Sequence, residues 1–275
     1  MRSPMAQADP KNLTKQPNMR VELFNAEAWN RLACAGHRYT RPEYALPKTA
    51  RGVRRRLDPR GHLAGLRLAG ASVLVLAGGG GLHGVMFAKL GANTTVLDIS
   101  NRQIATVRRL ARRHRVSVRC MQGDMGDLSR FPPASFDVVW HLHSLVYVPN
   151  AGRVFREVGR VLAPGGLYRM TTMHPTTLRL FNSYDGRGWH PVISYFSNRA
   201  IRDEWRKNGK LFATTLEYGH RIETIVNGIV AHGMLVDGLW EFSPKEHPYG
   251  AANPDGPLEA VFPTYLEVRA RKRGA

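Results

Sequence analysis

The chain is poor in cysteine, in lysine, in acidic residues and in long apolar runs, and each shortage excludes something. Two cysteines, Cys34 and Cys120, in 275 residues cannot build a disulfide framework or, by themselves, a four-ligand zinc site. They read as reduced thiols. No apolar stretch approaches the ~20 residues of a membrane-spanning helix, and Met1 to Asn12 has no apolar signal-peptide centre. A soluble, cytoplasmic protein is the expectation. Of 40 basic residues against 21 acidic ones only eight are lysine, so a net charge of +19 is carried by arginine. Such an excess invites a nucleic acid through phosphate contacts and counterion release. The arginines are spread over the whole chain, however, and no nucleic-acid module with base-stacking aromatics accompanies them.

What is present suits one globular domain with an appended lid. Residues 1–20 are polar, interrupted by Pro4, Pro10 and Pro17, and read as a flexible leader. From Val21 to Ala35 the residues Val21, Phe24, Ala28, Trp29, Leu32 and Ala33 recur at helical spacing. A second basic stretch, Thr49 to Arg60, is helical or looped and is ended by Pro59 and Gly61. Residues 21–68 are therefore read as an N-terminal helical lid and 69–275 as the core.

The core alternates strands at Ser72–Leu76, Thr94–Asp98, Val116–Met121, Phe136–Trp140 and Gly166–Thr172 with helices at Leu82–Leu90, Asn101–His114 and Asn150–Leu162. That alternation predicts a parallel sheet with helices on both faces. It stops after Thr172. Residues 173–219 hold Phe181, Tyr184, Trp189, Tyr195, Phe196, Trp205 and Phe212 among turn residues, the composition of a substrate-covering insertion. A helix at Glu223–His232, a strand at Met234–Phe242, a Pro/Gly-rich loop to Pro257 and a strand at Val261–Ala270 end the chain.

Chemistry enters where Val73-Leu74-Val75-Leu76 runs into Ala77-Gly78-Gly79-Gly80-Gly81 and then a helix. Glycines let backbone approach a ligand closely, and a helix N-terminus faces it. The next strand ends in Asp98, about 20 residues downstream, where a carboxylate can accept from both hydroxyls of a ribose. Loop and acid together indicate a nucleoside cofactor. A nicotinamide dehydrogenase shares both features, but the turns Gly123-Asp124-Met125 and Pro164-Gly165-Gly166 argue against it.

These segments, with Phe136-Asp137-Val138-Val139 and Arg160 to Gly166, resemble the class I S-adenosylmethionine-dependent methyltransferases, specifically the small-molecule group related to ubiquinone and menaquinone methyltransferases. The resemblance covers about residues 70 to 172. It implies a Rossmann-like seven-stranded, mostly parallel sheet with one antiparallel strand near its edge, an N-terminal helical lid and an insertion after the fifth strand. It implies S-adenosylmethionine as cofactor, with Gly79 and Gly81 at its methionine part, Asp98 at its ribose, Asp124 and Met125 at its adenine, and Ala77, Gly78 and Ile99 as further cofactor contacts. His141 and Tyr39 complete the expected cofactor contacts. The implied activity is methyl transfer to a small molecule held between lid and insertion.

Two departures matter. Val75 stands where the family carries an acid, and Ala77 where it carries a glycine. The acid helps hold the cofactor's ammonium group, so its loss favours a neutral, nucleophilic amine. An alternative activity follows, in which that amine displaces methylthioadenosine at the γ-carbon and yields azetidine-2-carboxylate. A second alternative is an RNA-associated methyltransferase using the arginines.

Displacement at a sulfonium methyl needs alignment and exclusion of water, and a base only if the acceptor is protonated. His141, His143 and His174 fall at or just after the ends of strands four and five; His141 and His174, with Tyr39, are the candidate catalytic residues. On a strand, His141 and His143 would share a side opposite Leu142. Trp29, Tyr39 and Tyr147 are the aromatics expected near the cofactor, where a ring face stabilises a sulfonium by ~0.5–2 kcal/mol. No metal is expected, because no carboxylate pair joins the histidines at a suggestive spacing.

Overall fold

The computed structural model describes residues 20–41, 45–180, 185, 187–207, 209–242 and 262–274. The leader expected before Arg20, the aromatics Phe181 and Tyr184, and the Pro/Gly-rich stretch to Pro257 lie outside these residues. Two helices come first, α1 at Val21–Cys34 and α2 at Ala50–Leu57. Thr49 caps α2 by accepting from the Gly52 amide at 3.1 Å, which satisfies one of the amides left free by a helix start.

The alternating core then unfolds along the chain as β1 (Ser72–Leu76), α3 (Leu82–Lys89), β2 (Asn93–Asp98), α4 (Asn101–Arg113), β3 (Arg119–Gln122), β4 (Phe136–His141), α5 (Ala151–Val161) and β5 (Leu162–Met173). A short α6 (Pro175–Leu180) leads to a separate hairpin of β6 (Ile201–Lys207) and β7 (Lys210–Glu217), after which α7 (Ile222–Ala231), β8 (Met234–Phe242) and β9 (Tyr265–Lys272) return to the sheet. Seven strands lie in the order β3-β2-β1-β4-β5-β9-β8. Only β9 is reversed, antiparallel to β5 and β8 on either side of it.

The sheet is buried on both faces, which is why its central strands read as near-continuous apolar runs. Val73, Val75, Val138 and Trp140 pack with α3, α4 and the segment around α2, while Leu74, Leu76, Val139 and Tyr168 pack with α5 and α7. Helix α4 buries Ile104, Val107, Leu110 and Ala111 and begins at a Ser100 cap that accepts from the Gln103 amide at 3.1 Å. Its arginines occupy the outer face. No helix among the described residues is long and apolar enough to cross a membrane.

The last strand runs Tyr265–Lys272 and not Val261 to Ala270, and two further elements differ from expectation for local reasons. The third strand begins at Arg119, not Val116, because Arg115 takes φ 53° and the Val116 amide turns back to the Ala111 carbonyl at 3.0 Å. Val116 and Val118 thus close the end of α4, packed against Val85 and Leu110. The fifth strand begins at Leu162, since Phe136 pairs with Leu162 and Val138 with Leu167 across an irregularity. Pro164-Gly165-Gly166 is a bulge inside that strand, where Gly165 has φ 74°.

A buried ion cluster ties the segment after α2 to the sheet. Asp58 accepts from the amides of His62 and Leu63 at 2.8 and 2.6 Å. This aims His62 at Glu267 of β9, which also receives Arg169 of β5. Arg169 and Glu267 are 2% and 0% exposed, and the guanidinium stacks 4.6 Å from the Trp140 ring centre. Burial alone would raise the Glu267 carboxyl; the His62 bond and the Arg169 charge outweigh it and hold it at about 2.

Glu267→Gln leaves Arg169 buried without its counter-charge and is expected to cost about 3–5 kcal/mol, read by urea denaturation. Because the folded carboxyl lies below its ordinary 4.5, the stabilisation is present above about 4.5 and is lost as pH falls toward about 2. The variant is expected to lose that acid limb.

Candidate active site

The carboxyl ends of β1, β2, β3 and β4 lie side by side, and each contributes one part of a cradle. After β1 the chain turns through Ala77 (φ 51°), Gly79 (φ 26°) and Gly81 (φ 81°). A side chain at Gly78 would collide with Val96, and one at Gly81 would meet the Val107 Cα at 2.9 Å, so these glycines let the loop sit down on β2 and α4. Ala77 holds a left-handed conformation that costs an L-residue roughly 1–2 kcal/mol.

Asp98, at the end of β2, faces this loop. Its Oδ2 accepts from the Gly79 amide at 3.0 Å and its Oδ1 from the Ser100 amide at 2.9 Å. Each oxygen keeps a further lone pair for a ligand hydroxyl. Burial pushes this carboxyl up to about 6, although the Ser100 and Gly79 amides pull against the shift. Beside it Gln103 is 2% exposed, with Nε2 3.6 Å from where a Gly79 Cβ would stand and an Oε1 that has no partner among the described residues. Half-buried Ile99 follows, its carbonyl accepting from Gln122 Nε2 at 3.1 Å.

The Gly123 amide bonds to the Asp98 carbonyl at 3.0 Å, which fixes the turn after β3 against β2. Asp124 is half-buried there and accepts from the Gly126 amide at 2.9 Å. The Met125 sulfur lies 3.8 Å from Ser144 Oγ, and that hydroxyl bonds His141 Nε2 at 2.9 Å. A cradle of glycines, a carboxylate with free accepting capacity, a buried amide oxygen unpartnered among the described residues and a polar turn would fit an adenosyl group with an amino-acid tail.

His141 ends β4, fully buried, with Nδ1 engaged by the Tyr168 hydroxyl at 2.9 Å. Burial, then the Arg169 charge, lowers it to about 3, so the ring is neutral at physiological pH. The same-side rule for His141 and His143 lapses because the strand stops at His141; His143 meets Tyr265 at 4.7 Å between ring centres. His174 stands apart from the cradle. Its Nε2 bonds Glu241 of β8 at 2.8 Å and its Nδ1 accepts from the Thr176 amide at 3.2 Å.

The segment after α1 reaches over the glycine loop, since a side chain at Gly80 would come within 3.3 Å of the Arg41 carbonyl. Two residues earlier, Tyr39 is 50% exposed and lies 5.9 Å from Trp205 of β6. Trp29 of α1 lies 5.3 Å from Tyr147 and 5.9 Å from Trp205. Helix α1 is held at two points. Asn25 bonds the Tyr147 carbonyl and both backbone groups of Leu216 at 2.9–3.1 Å, and Asn30 Oδ1 accepts from Ser100 Oγ at 2.7 Å.

Sequence reasoning missed the β6–β7 hairpin and with it Asp203 and Glu217. Its signal was Asn208-Gly209, a turn dipeptide between two alternating stretches; Lys207 indeed pairs with Lys210, and Gly209 has φ 78°.

A sheet of this order with a glycine loop after its first strand and an acid ending its second defines a Rossmann-like methyltransferase fold. The family model described as "Methyltransferase domain" matches residues 74–170. The chain is 32% identical over 177 residues to "Uncharacterized methyltransferase YbaJ" of Bacillus subtilis, covering 63% of this chain and 69% of that protein. It is 33% identical over 111 residues to "Ubiquinone biosynthesis O-methyltransferase" of Xanthomonas euvesicatoria, 40% of this chain and 46% of that one, so under half of that relative is spanned. A crystal structure of a putative S-adenosylmethionine-dependent methyltransferase from Listeria monocytogenes superposes with TM-score 0.62 at 20% identity, over 82% of this chain and 100% of that chain. The chain belongs to the methyltransferase family, and it is an enzyme of the S-adenosylmethionine-dependent class.

Two outcomes are expected. Ala77→Gly relieves the left-handed strain, net of glycine's extra chain entropy, by about 0.5–1 kcal/mol, raising the melting temperature by roughly 1–4 °C. Affinity for S-adenosylmethionine falls as pH drops through about 6, because a protonated Asp98 loses accepting capacity toward the ribose; calorimetric titration on both sides of that value checks it, and Asp98→Asn is expected to flatten the profile.

Proposed function

We propose that this methyltransferase binds S-adenosylmethionine across the carboxyl ends of β1 to β4 and transfers its methyl group to a small-molecule acceptor beneath α1 and the β6–β7 hairpin. One observation carries the reading: the Asp98 carboxylate, bonded to the Gly79 and Ser100 amides, faces a glycine loop that backbone alone lines. Ala77, Gly78, Gly79 and Gly81 hold the methionine part, Asp98 and Ile99 the ribose, and Asp124 and Met125 the adenine. The cofactor supplies an electrophilic methyl on a sulfonium. Domain roles follow, with residues 21–68 serving as lid and 173–219 covering the acceptor. Reduced Cys34 and Cys120 suit a cytoplasmic setting.

The protein's own work is alignment and exclusion of water. His141 acts as a positioning residue: with both nitrogens engaged and its ring neutral, it fixes the Ser144 hydroxyl, which in turn orients Met125 under the adenine. Tyr39 and His174 remain candidates for orienting the acceptor, Tyr39 from the lid and His174 from the end of β5. The aromatic faces of Trp29, Tyr39 and Tyr147 favour positive charge in the space between them.

Asp98→Asn is expected to weaken S-adenosylmethionine binding roughly ten- to hundredfold, as for loss of charged hydrogen bonds worth about 1.5–3 kcal/mol. Incubation of the protein with S-adenosylmethionine alone, followed by mass spectrometry, is expected to leave the cofactor intact and bound. Methylthioadenosine and azetidine-2-carboxylate above an enzyme-free control would overturn methyl transfer in favour of cyclisation.

A further inference from the structure

The β6–β7 hairpin carries two carboxylates that the reading above does not use, Glu217 buried and Asp203 half-buried. Ile201 pairs with Glu217, Asp203 with Thr215 and Trp205 with Ala213, so Asp203, Trp205, Thr215 and Glu217 share one face. Glu217 is 4% exposed. Its carboxylate accepts from Thr215 Oγ1 at 3.1 Å, and that hydroxyl accepts from Trp205 Nε1 at 3.0 Å. Neither Glu217 nor Asp203 forms an ion pair with an arginine or lysine among the described residues. In a chain with 40 basic residues, that is a conspicuous omission. Burial raises both carboxyls, and the Asp203 charge raises Glu217 further.

The walls about this pair are aromatic and come from four separate segments. Tyr147 after β4, Trp29 from α1, Trp205 from β6 and Tyr39 from the segment after α1 form a chain of ring contacts at 5.3, 5.9 and 5.9 Å. His37, its imidazole held toward the neutral form first by burial and then by Arg38 and Arg41, lies 5.0 Å from Trp205 and 5.3 Å from Tyr39. The Tyr147 phenol is held well above its ordinary value first by burial and then by Glu217 and Asp203, which places the acids at its side. The nearby arginines are turned outward: Arg38 stacks on the Tyr39 ring and bonds its hydroxyl, Arg41 bonds the Gly36 carbonyl, and Arg206 pairs with Glu204.

An ionised carboxylate out of water and without a cation is unstable, and ring faces also attract positive charge. Both features are complementary to one ligand type. Without a cation, burial holds the pair toward its protonated form; a cationic ligand compensates the charge that ionisation creates, and an anionic one is repelled.

We propose that this aromatic and carboxylate enclosure is the acceptor site, and that the acceptor is a primary or secondary amine bound as its ammonium ion; the catalytic half of the proposal rests on the methyltransferase reading above. An ammonium has no lone pair to react. Glu217 or Asp203 takes its proton, breaking an N–H bond whose electron pair stays on nitrogen. That nitrogen then forms an N–C bond to the methyl as the methyl–sulfur bond breaks, with the departing pair left on sulfur. Ammonium, sulfonium and carboxylate enter; a methylated ammonium, a thioether and a carboxylic acid leave, so charge and protons balance with no further reactant.

Trp29 and Trp205 make the site readable by intrinsic fluorescence. Benzylamine and its uncharged counterpart benzyl alcohol are titrated into the full chain, with S-adenosylmethionine binding measured separately by calorimetry. Benzylamine is expected to give a saturable change and benzyl alcohol none. D203N/E217Q is expected to weaken the amine at least roughly tenfold while S-adenosylmethionine affinity stays within about twofold. Asp203→Asn alone, at a partly exposed position, gives the same comparison with a smaller drop should the double variant fail to fold. Equal binding of the alcohol, or amine affinity untouched by these changes, would overturn the proposal. So would loss of S-adenosylmethionine binding in place of amine binding, which would assign the pair to the cofactor's own ammonium. If the wild-type chain binds no S-adenosylmethionine, the methyltransferase reading falls, and the amine titration still decides what the enclosure recognises.

Discussion

One carboxylate organises the ligand-binding end of this molecule. Asp98 must keep its charge while being only 7% exposed, and it does so by accepting amides from two directions. The Gly79 bond sets the height of the glycine loop over β2. The Ser100 bond sets the entry of α4, and the Ser100 hydroxyl, having capped α4, reaches Asn30 of α1. Remove that charge and the loop, the start of α4 and helix α1 lose a common reference point. Backbone amides are suited to this duty because they cannot rotate away as side chains do.

The division of labour across the sheet follows from its one reversed strand. Strands β1 to β4 end together and supply the cradle, whereas β5 and β9 carry Arg169 and Glu267 of the ion cluster that His62 joins from the segment after α2. Burial, and after it the Arg169 charge, lowers the His141 imidazole to about 3. A neutral histidine between two hydroxyls is suited to holding geometry.

Much of this was legible in the residues. The strand-loop-helix of Val73 to Lys89 and the acid at Asp98 are local features whose spacing the βα unit enforces, and Met234–Phe242 came out with its boundaries intact. Val116 and Val118 misled because apolar residues that close a helix look like the start of a strand. The neutrality of His141 was not readable, since it depends first on burial within the packed sheet and then on the charge of Arg169 on a neighbouring strand. Nor was the grouping of Asp203 and Glu217, which exists only once the hairpin sets Asp203 and Glu217 on one face and α1 brings Trp29 from far along the chain.

Helix α1 has a consequence of its own. Asn25 clasps β7 and the Tyr147 carbonyl at the hairpin end, while Asn30, little more than one turn later, touches the residue that steadies Asp98. A segment this short is rigid, so it works as a crossbar between two rooms and not as a door to one of them. Any displacement of α1 strains the hairpin contact and the Ser100 contact in the same movement, so the two ends are tied mechanically without any dedicated signalling element.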